Sequence, residues 1–278
     1  MYFFSQRNIF KLIFQNTDDK EYFIKNRLVN INKTLIIPGS GVDMKYFISA
    51  PFGNYLKFKN AISVKGTFTV NPRPGRFKQI FKTLRYVKTE AGWGWRNQLG
   101  LRNPGIFAGM FKTSYNQVLS VAAIESSDWE KILIAIGPDR NIELNISCPN
   151  LESCNDTMSW PGFEKFPNHM RGEFTIVKIP PIADNNMVDK LVDMGYNYIH
   201  ASNTVPSAKG GLSGKIVMPY TMKIIDYIKN KHPHVKIIAG GGVYTKQDAD
   251  AYIEAGADHI SLGSVNFTPW KIKGIING

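Results

Sequence analysis

The chain has 278 residues, 43% of them hydrophobic, with no low-complexity tract, a composition that excludes a disordered chain and fits one large domain or two small ones. Its longest apolar runs fall far short of the ~20 residues that span a bilayer, and its two cysteines, Cys148 and Cys154, exclude a disulfide framework and fit a reducing, cytoplasmic setting. The net charge of +12, from 34 Lys and Arg against 22 Asp and Glu, is scattered rather than gathered into a nucleic-acid-binding module, so a basic enzyme is expected and no nucleic-acid partner.

The N-terminus places Phe3, Ile9, Phe10, Ile13 and Phe14 at helical spacing, with Arg7, Asn8 and Lys11 turned elsewhere. A targeting peptide, a membrane-surface helix and an extra helix packed on the domain all fit that stripe, and packing or subunit contact is the preferred reading. We treat residues 1–40 as an N-terminal extension and 41–278 as the main domain.

From residue 45 onward short apolar runs alternate with stretches of helical period. The expected strands are YFISA (46–50), AISVK (61–65), VLSVAA (118–123), IELNIS (142–147), FTIVKI (174–179), NYIHA (197–201), VKIIAG (235–240) and DHISLG (258–263). Helices are expected over 128–136, 184–194, 218–231 and 246–255. Parallel strands joined by crossover helices give this alternation. Eight of them in one chain, with no G-x-G-x-x-G turn after the first, predict a single-domain α/β protein of the (β/α)8 TIM-barrel class. Residues 71–111 form a long irregular insertion with two tryptophans, expected over the barrel mouth, and 200–214 is a loop too long to be a simple connection and so a candidate for a functional role.

Polar residues gather where the strands end: Lys65, Asn145 with Cys148, Lys178, and Asn203 with Thr204. A single strand-end lysine is an ordinary surface residue. Two lysines, several asparagines and a cysteine converging on the carboxyl ends of barrel strands point to a reaction centre. After the last two strands, AGGGV (239–243) and LGSV (262–265) can expose backbone N–H groups, which predicts a cradle for a phosphorylated cofactor. No metal site is expected.

Taken together, ELNISCPN (143–150), NQLGLRNPG (97–105), VKIPP (177–181), NTVPSAKGGLSG (203–214) and GGV followed by GS resemble the dihydroorotate dehydrogenase family, over about residues 46–270. The resemblance implies FMN as cofactor, (S)-dihydroorotate and orotate as substrate and product, and a place in de novo pyrimidine biosynthesis. It implies that Cys148 is the catalytic base of the soluble, cysteine-using class. It places Lys65, Asn97, Gly100, Leu101, Asn145, Asn150, Asn203 and Thr204 on the pyrimidine. Ala50, Lys65, Gly66, Asn145, Lys178, Gly214, Gly241, Gly242, Gly263 and Ser264 fall on or beside the flavin. A homodimer is implied, as is a soluble acceptor or a separate electron-transfer subunit, because two cysteines cannot hold an iron–sulfur cluster within this chain. Five features depart from the pattern: the N-terminal segment is longer than the soluble class needs yet shorter than the membrane class's leader, Gly66 follows Lys65 where hydroxyl residues are common, Arg76–Phe77 stand after NPRPG, GWGW (92–95) lies in the lid, and the segment from Asn150 to Val177 is short. Other flavin barrels acting on pyrimidines, of the dihydropyrimidine dehydrogenase or tRNA dihydrouridine synthase kind, are the rival reading, with an inactive flavin-binding homologue as the third.

Overall fold

The structure, a computed structural model, describes residues 12–14, 24–25, 34–36, 44–147 and 157–277. It divides into two units, Met1–Met44 and Lys45–Gly278. In the first, strand β1 (Leu12–Phe14) pairs in parallel with β2 (Thr34–Ile36), Leu12 opposite Thr34. Ile13 and Phe14 therefore lie in a strand where the sequence spacing predicted a helical stripe. β-branched and aromatic side chains in both segments favour extended pairing. Phe3, Ile9 and Phe10 lie outside the described residues.

The second unit holds the barrel. Its strands are β3 (Tyr46–Ile48), β4 (Ala61–Phe68), β7 (Val118–Val121), β8 (Asn141–Asn145), β9 (Thr175–Ile179), β10 (Tyr198–Ala201), β13 (Lys236–Gly240) and β14 (His259–Leu262). All neighbouring pairs are parallel, and β14 closes on β3 with Leu262 opposite Ile48. These are the eight apolar runs expected from the sequence, and the barrel class is as expected. Helices α1 (Arg76–Thr83), α2 (Ile106–Lys112), α3 (Asp128–Ile136), α4 (Phe166–His169), α5 (Asn185–Asp193), α6 (Met218–Lys231), α7 (Lys246–Glu254) and α8 (Ile272–Ile276) lie between or after the strands. The α5 start is set by Asp184, whose side chain accepts from the Met187 N–H at 2.8 Å. A reciprocal cap between Thr245 and Asp248 fixes the start of α7 just beyond the glycine-rich turn.

Strand alternation divides the core into layers. Residues such as Leu144, Val177, Ile199 and Ile237 point outward onto Trp129, Ile132, Leu191, Ile225 and Ile228 of the helices, all buried. Inside the barrel, Phe47, Val64, Val118, Phe174, Ile176 and Ile238 fill the amino-terminal end. The same inward faces turn polar toward the carboxyl end, with Thr67, Ser120, Glu143, Asn145, Lys178 and His200 all buried. That inversion places the polar groups above an apolar plug, where barrel chemistry sits.

Within the plug, His259 lies among Phe47, Phe174 and Tyr198, its ring stacked on Tyr198. The Lys45 N–H donates to its Nδ1 at 3.3 Å, and the buried Nε2 has no partner among the described residues. Burial, more than any neighbouring charge, pushes its pKa from 6.5 down to about 4. The neutral ring therefore contributes stability fully above pH 6.5, and that contribution is lost as the pH falls toward 4, on the order of 2–3 kcal/mol. The urea midpoint should fall more between pH 7.5 and 4.5 in the wild type than in His259→Gln; equal pH dependence of the two would contradict the assignment.

The two stretches over the mouth are ordered as a second sheet. Hairpin β5 (Arg85–Thr89) and β6 (Gly92–Asn97) joins hairpin β11 (Val205–Ser207) and β12 (Gly210–Gly214) through antiparallel β6–β12 pairing, Arg96 opposite Leu212. The insertion read as irregular thus contains α1, this hairpin and α2. Gly94 permits the close approach, since a Cβ there would sit 2.2 Å from the Ser213 carbonyl oxygen.

Candidate active site

A cavity of about 370 Å³ lies between the carboxyl ends of the barrel strands and the second sheet. Its floor is the polar layer. Its roof includes Trp95 and Asn97 of β6, Leu99, Leu101, and Ile80 of α1. Arg76 braces that roof, donating from Nε to the Arg102 carbonyl and from Nη1 to the Tyr55 hydroxyl, both at 2.8 Å.

Most of the residues expected at the site converge here. Asn97, Gly100, Leu101, Asn145, Asn203 and Thr204, expected on the substrate, all line the cavity, as do Ala50, Gly66, Lys178, Gly241, Gly263 and Ser264 from the cofactor set. Gly214 and Gly242 do not line it; they stand against each other, a Cβ on Gly242 coming 3.1 Å from the Gly214 carbonyl oxygen. Cys148 and Asn150 lie outside the described residues. So does Cys154.

Lys65 is not among the lining residues. The β4–β7 register shifts between Lys65 and Phe68, so both Val64 and Thr67 face the barrel interior. Lys65 itself pairs with Leu119 ahead of the shift, at a register that faces away from the barrel interior, and the bulge brings Thr67 inward. Lys65 is nonetheless buried, and burial first, with the Lys57 charge second, lowers its pKa. Gly66 occupies the bulge at φ 124°, where a Cβ would meet the Ser120 carbonyl oxygen at 2.3 Å. The Asn54 side chain clamps it, donating to the Gly66 carbonyl at 2.8 Å and accepting its N–H at 3.0 Å.

The floor is a chain of hydrogen bonds whose direction the chemistry fixes. Burial would push the Glu143 carboxyl up, but the Lys178 charge and His200 outweigh it and hold it at about 2. A carboxylate can only accept, so Ser120 donates to Glu143 at 2.7 Å and must itself accept from Thr67 at 3.0 Å. Thr67 then accepts from the Asn145 amide at 3.0 Å, and the Asn145 oxygen accepts from the Ser147 hydroxyl at 2.8 Å. Ser147 in turn accepts from the Asn203 amide at 2.9 Å. Every donor points toward Glu143, which sets the rotamers of Asn145 and Asn203.

Glu143 and His200 are site residues that the motif reading passed over. A signal was present: each interrupts an apolar strand at an inward register, two residues before Asn145 and Ser202. Arg76 was visible only as a departure from the expected motif.

At the other side of the mouth the glycine turns after β13 and β14 meet. Tyr244 and Ser264 share a hydrogen bond of 2.8 Å. Gly241, at φ 88°, leaves room that a Cβ would lose, since it would come 2.3 Å from Val217 Cγ1. The bare backbone of these turns is suited to a phosphate.

A closed parallel barrel with a buried lysine, amides and glycine turns gathered at the carboxyl ends of its strands has the architecture of the (β/α)8 barrel enzymes. Comparison with known proteins narrows this. A sequence model described as dihydroorotate dehydrogenase matches residues 28–278, and the chain belongs to that family. It is an oxidoreductase acting on CH–CH bonds, and the family implies a flavin cofactor. Similar curated proteins include the dihydroorotate dehydrogenase B (NAD(+)) catalytic subunits of Thermotoga maritima, 28% identical over 248 residues (78% of this chain, 88% of the relative), and Cutibacterium acnes, 27% over 282 residues (88% of each). Among solved structures, DHODH from Eimeria tenella in complex with ferulenol superposes with a TM-score of 0.68 at 17% identity, covering 84% of this chain and 79% of that one. At that identity the likeness concerns the fold. No helix among the described residues is long and apolar enough to cross a membrane.

Proposed function

We propose that the protein is an FMN-dependent dihydroorotate dehydrogenase that oxidises (S)-dihydroorotate to orotate in de novo pyrimidine biosynthesis, acting in the cytoplasm. The observation that carries this reading is the convergence of Asn97, Asn145, Lys178 and Asn203 on one cavity with the Gly241 and Gly263 turns. The cavity suits the group: the glycine turns leave space that side chains would fill, and Lys178 supplies positive charge beside the amides. Gly241, Gly263 and Ser264 would hold its phosphate, and Lys178 would stabilise the negative charge of its reduced ring. Bound FMN supplies the acceptor for the hydride that leaves C6 of the substrate.

The chain's own residues do the rest. Asn97, Asn145 and Asn203 hold the pyrimidine through its carboxylate, carbonyls and N–H groups, without changing charge. Cys148, as thiolate, removes the C5 proton. The lid hairpins exclude water from the pair. Because similar proteins are named catalytic subunits of an NAD(+)-linked enzyme, we place the outlet for the electrons in a separate electron-transfer subunit. Purified protein denatured in the dark should release FMN in about one equivalent. A preparation that takes up no FMN on reconstitution would remove the reading.

A further inference from the structure

The proposed chemistry leaves one group on the cavity floor unused. Glu143 and His200 are 1% and 2% exposed, and the His200 Nδ1 lies 2.7 Å from Glu143 Oε2. Glu143 is a carboxylate, so the proton between them sits on His200 Nδ1. Burial first, and the Lys178 charge second, lower the imidazole pKa and keep the ring neutral. Nε2 is therefore a bare acceptor. It forms no hydrogen bond with any described residue, although the ring lines the cavity. His200 lines the cavity, so a bound group that displaces water from Nε2 must supply a donor or leave the acceptor unmatched.

Its position identifies the donor. His200 stands opposite Lys178 in the β9–β10 register and opposite Ile238 in the β10–β13 register. Two residues beyond Ile238, a Cβ on Gly240 would come 3.3 Å from Nε2. The acceptor thus faces the space between Lys178 and the Gly240–Gly241 turn. On the reading above, the flavin ring meets the lysine and the phosphate meets the turn. What joins ring to phosphate is a polyol, whose hydroxyls are donors.

We infer that His200, positioned by Glu143, accepts a hydrogen bond from a ribityl hydroxyl through Nε2, and so selects a flavin that carries the hydroxylated chain. This rests on the FMN reading, and binding measurements separate the two. The full-length protein is stripped of flavin and titrated, by fluorescence quenching, with FMN and with a flavin bearing a phosphopentyl chain that has the ring and phosphate but no hydroxyls. Wild type should bind FMN at least about tenfold more tightly, the order of one hydrogen bond. His200→Leu should weaken FMN by about tenfold and leave the analogue nearly unchanged. His200→Gln, which restores an acceptor oxygen, should regain much of the preference. Equal binding of the two flavins by wild type, which needs no variant to fold, overturns the inference. So does an equal loss for both ligands in His200→Leu. If wild type binds the analogue and FMN not at all, the FMN reading itself fails.

Discussion

Replacing Cys148 by alanine should slow flavin reduction by dihydroorotate about 10²–10⁴-fold, the range that a positioned base contributes. Ser147, the residue before it, holds the strand end in place. Ser147 donates to Asn145 and accepts from Asn203, so the chain is tied to these two cavity amides as it leaves β8. The C5 proton of the substrate is weakly acidic, and a base poised near neutral pH is needed to remove it; a thiolate meets that need and a serine hydroxyl does not without help. Cys148→Ser should therefore be slow at neutral pH and gain at alkaline pH. Stopped-flow mixing under anaerobic conditions reads both variants directly. FMN content should match wild type, because the base has no part in holding the cofactor. A Cys148→Ala variant reduced at the wild-type rate would mean that the proton leaves by another route.

Lys178→Met should be the most damaging substitution on the cavity floor, through two separable effects. The first is on stability: it leaves the buried Glu143 carboxylate with only Ser120 and a neutral His200, and an uncompensated buried charge costs on the order of 3–5 kcal/mol. Glu143→Gln in the same chain should recover most of that loss, because the orphaned charge goes with it. The second effect is on the cofactor, whose reduced form loses its nearby positive charge, and the double variant should not regain it. Urea midpoints and the flavin midpoint potential separate the two. Lys65→Met is the control. Lys65 is not among the residues lining the cavity and pairs with the outward-facing Leu119, so its loss should leave the potential unchanged. A potential that moves with Lys65 and not with Lys178 would contradict the placement of both lysines.

Much of this fold could be read from the sequence because buried parallel strands are apolar on both faces and appear as continuous runs such as FTIVKI and VKIIAG. Hairpin strands GWGWRN and GGLSG carry no such pattern. They are held by pairing across more than a hundred residues of chain, Gly94 opposite Gly214, which no local window contains. Lys65 shows the same limit at one residue. It ends an apolar run in sequence, yet the strand continues to Phe68, and its pairing with Leu119 sets which way the side chain turns. Glu143 and His200 were legible as polar breaks in apolar strands. What could not be read was their pairing, since that depends on β8 and β10 both flanking β9 in the closed barrel.

A single reaction of the wild-type protein tests the substrate most directly. Mixed anaerobically with (S)-dihydroorotate, the yellow flavoprotein should bleach, and orotate should appear in an amount equal to the flavin reduced. Flavin that stays oxidised with dihydroorotate but bleaches with a different dihydropyrimidine would contradict the assignment of the substrate.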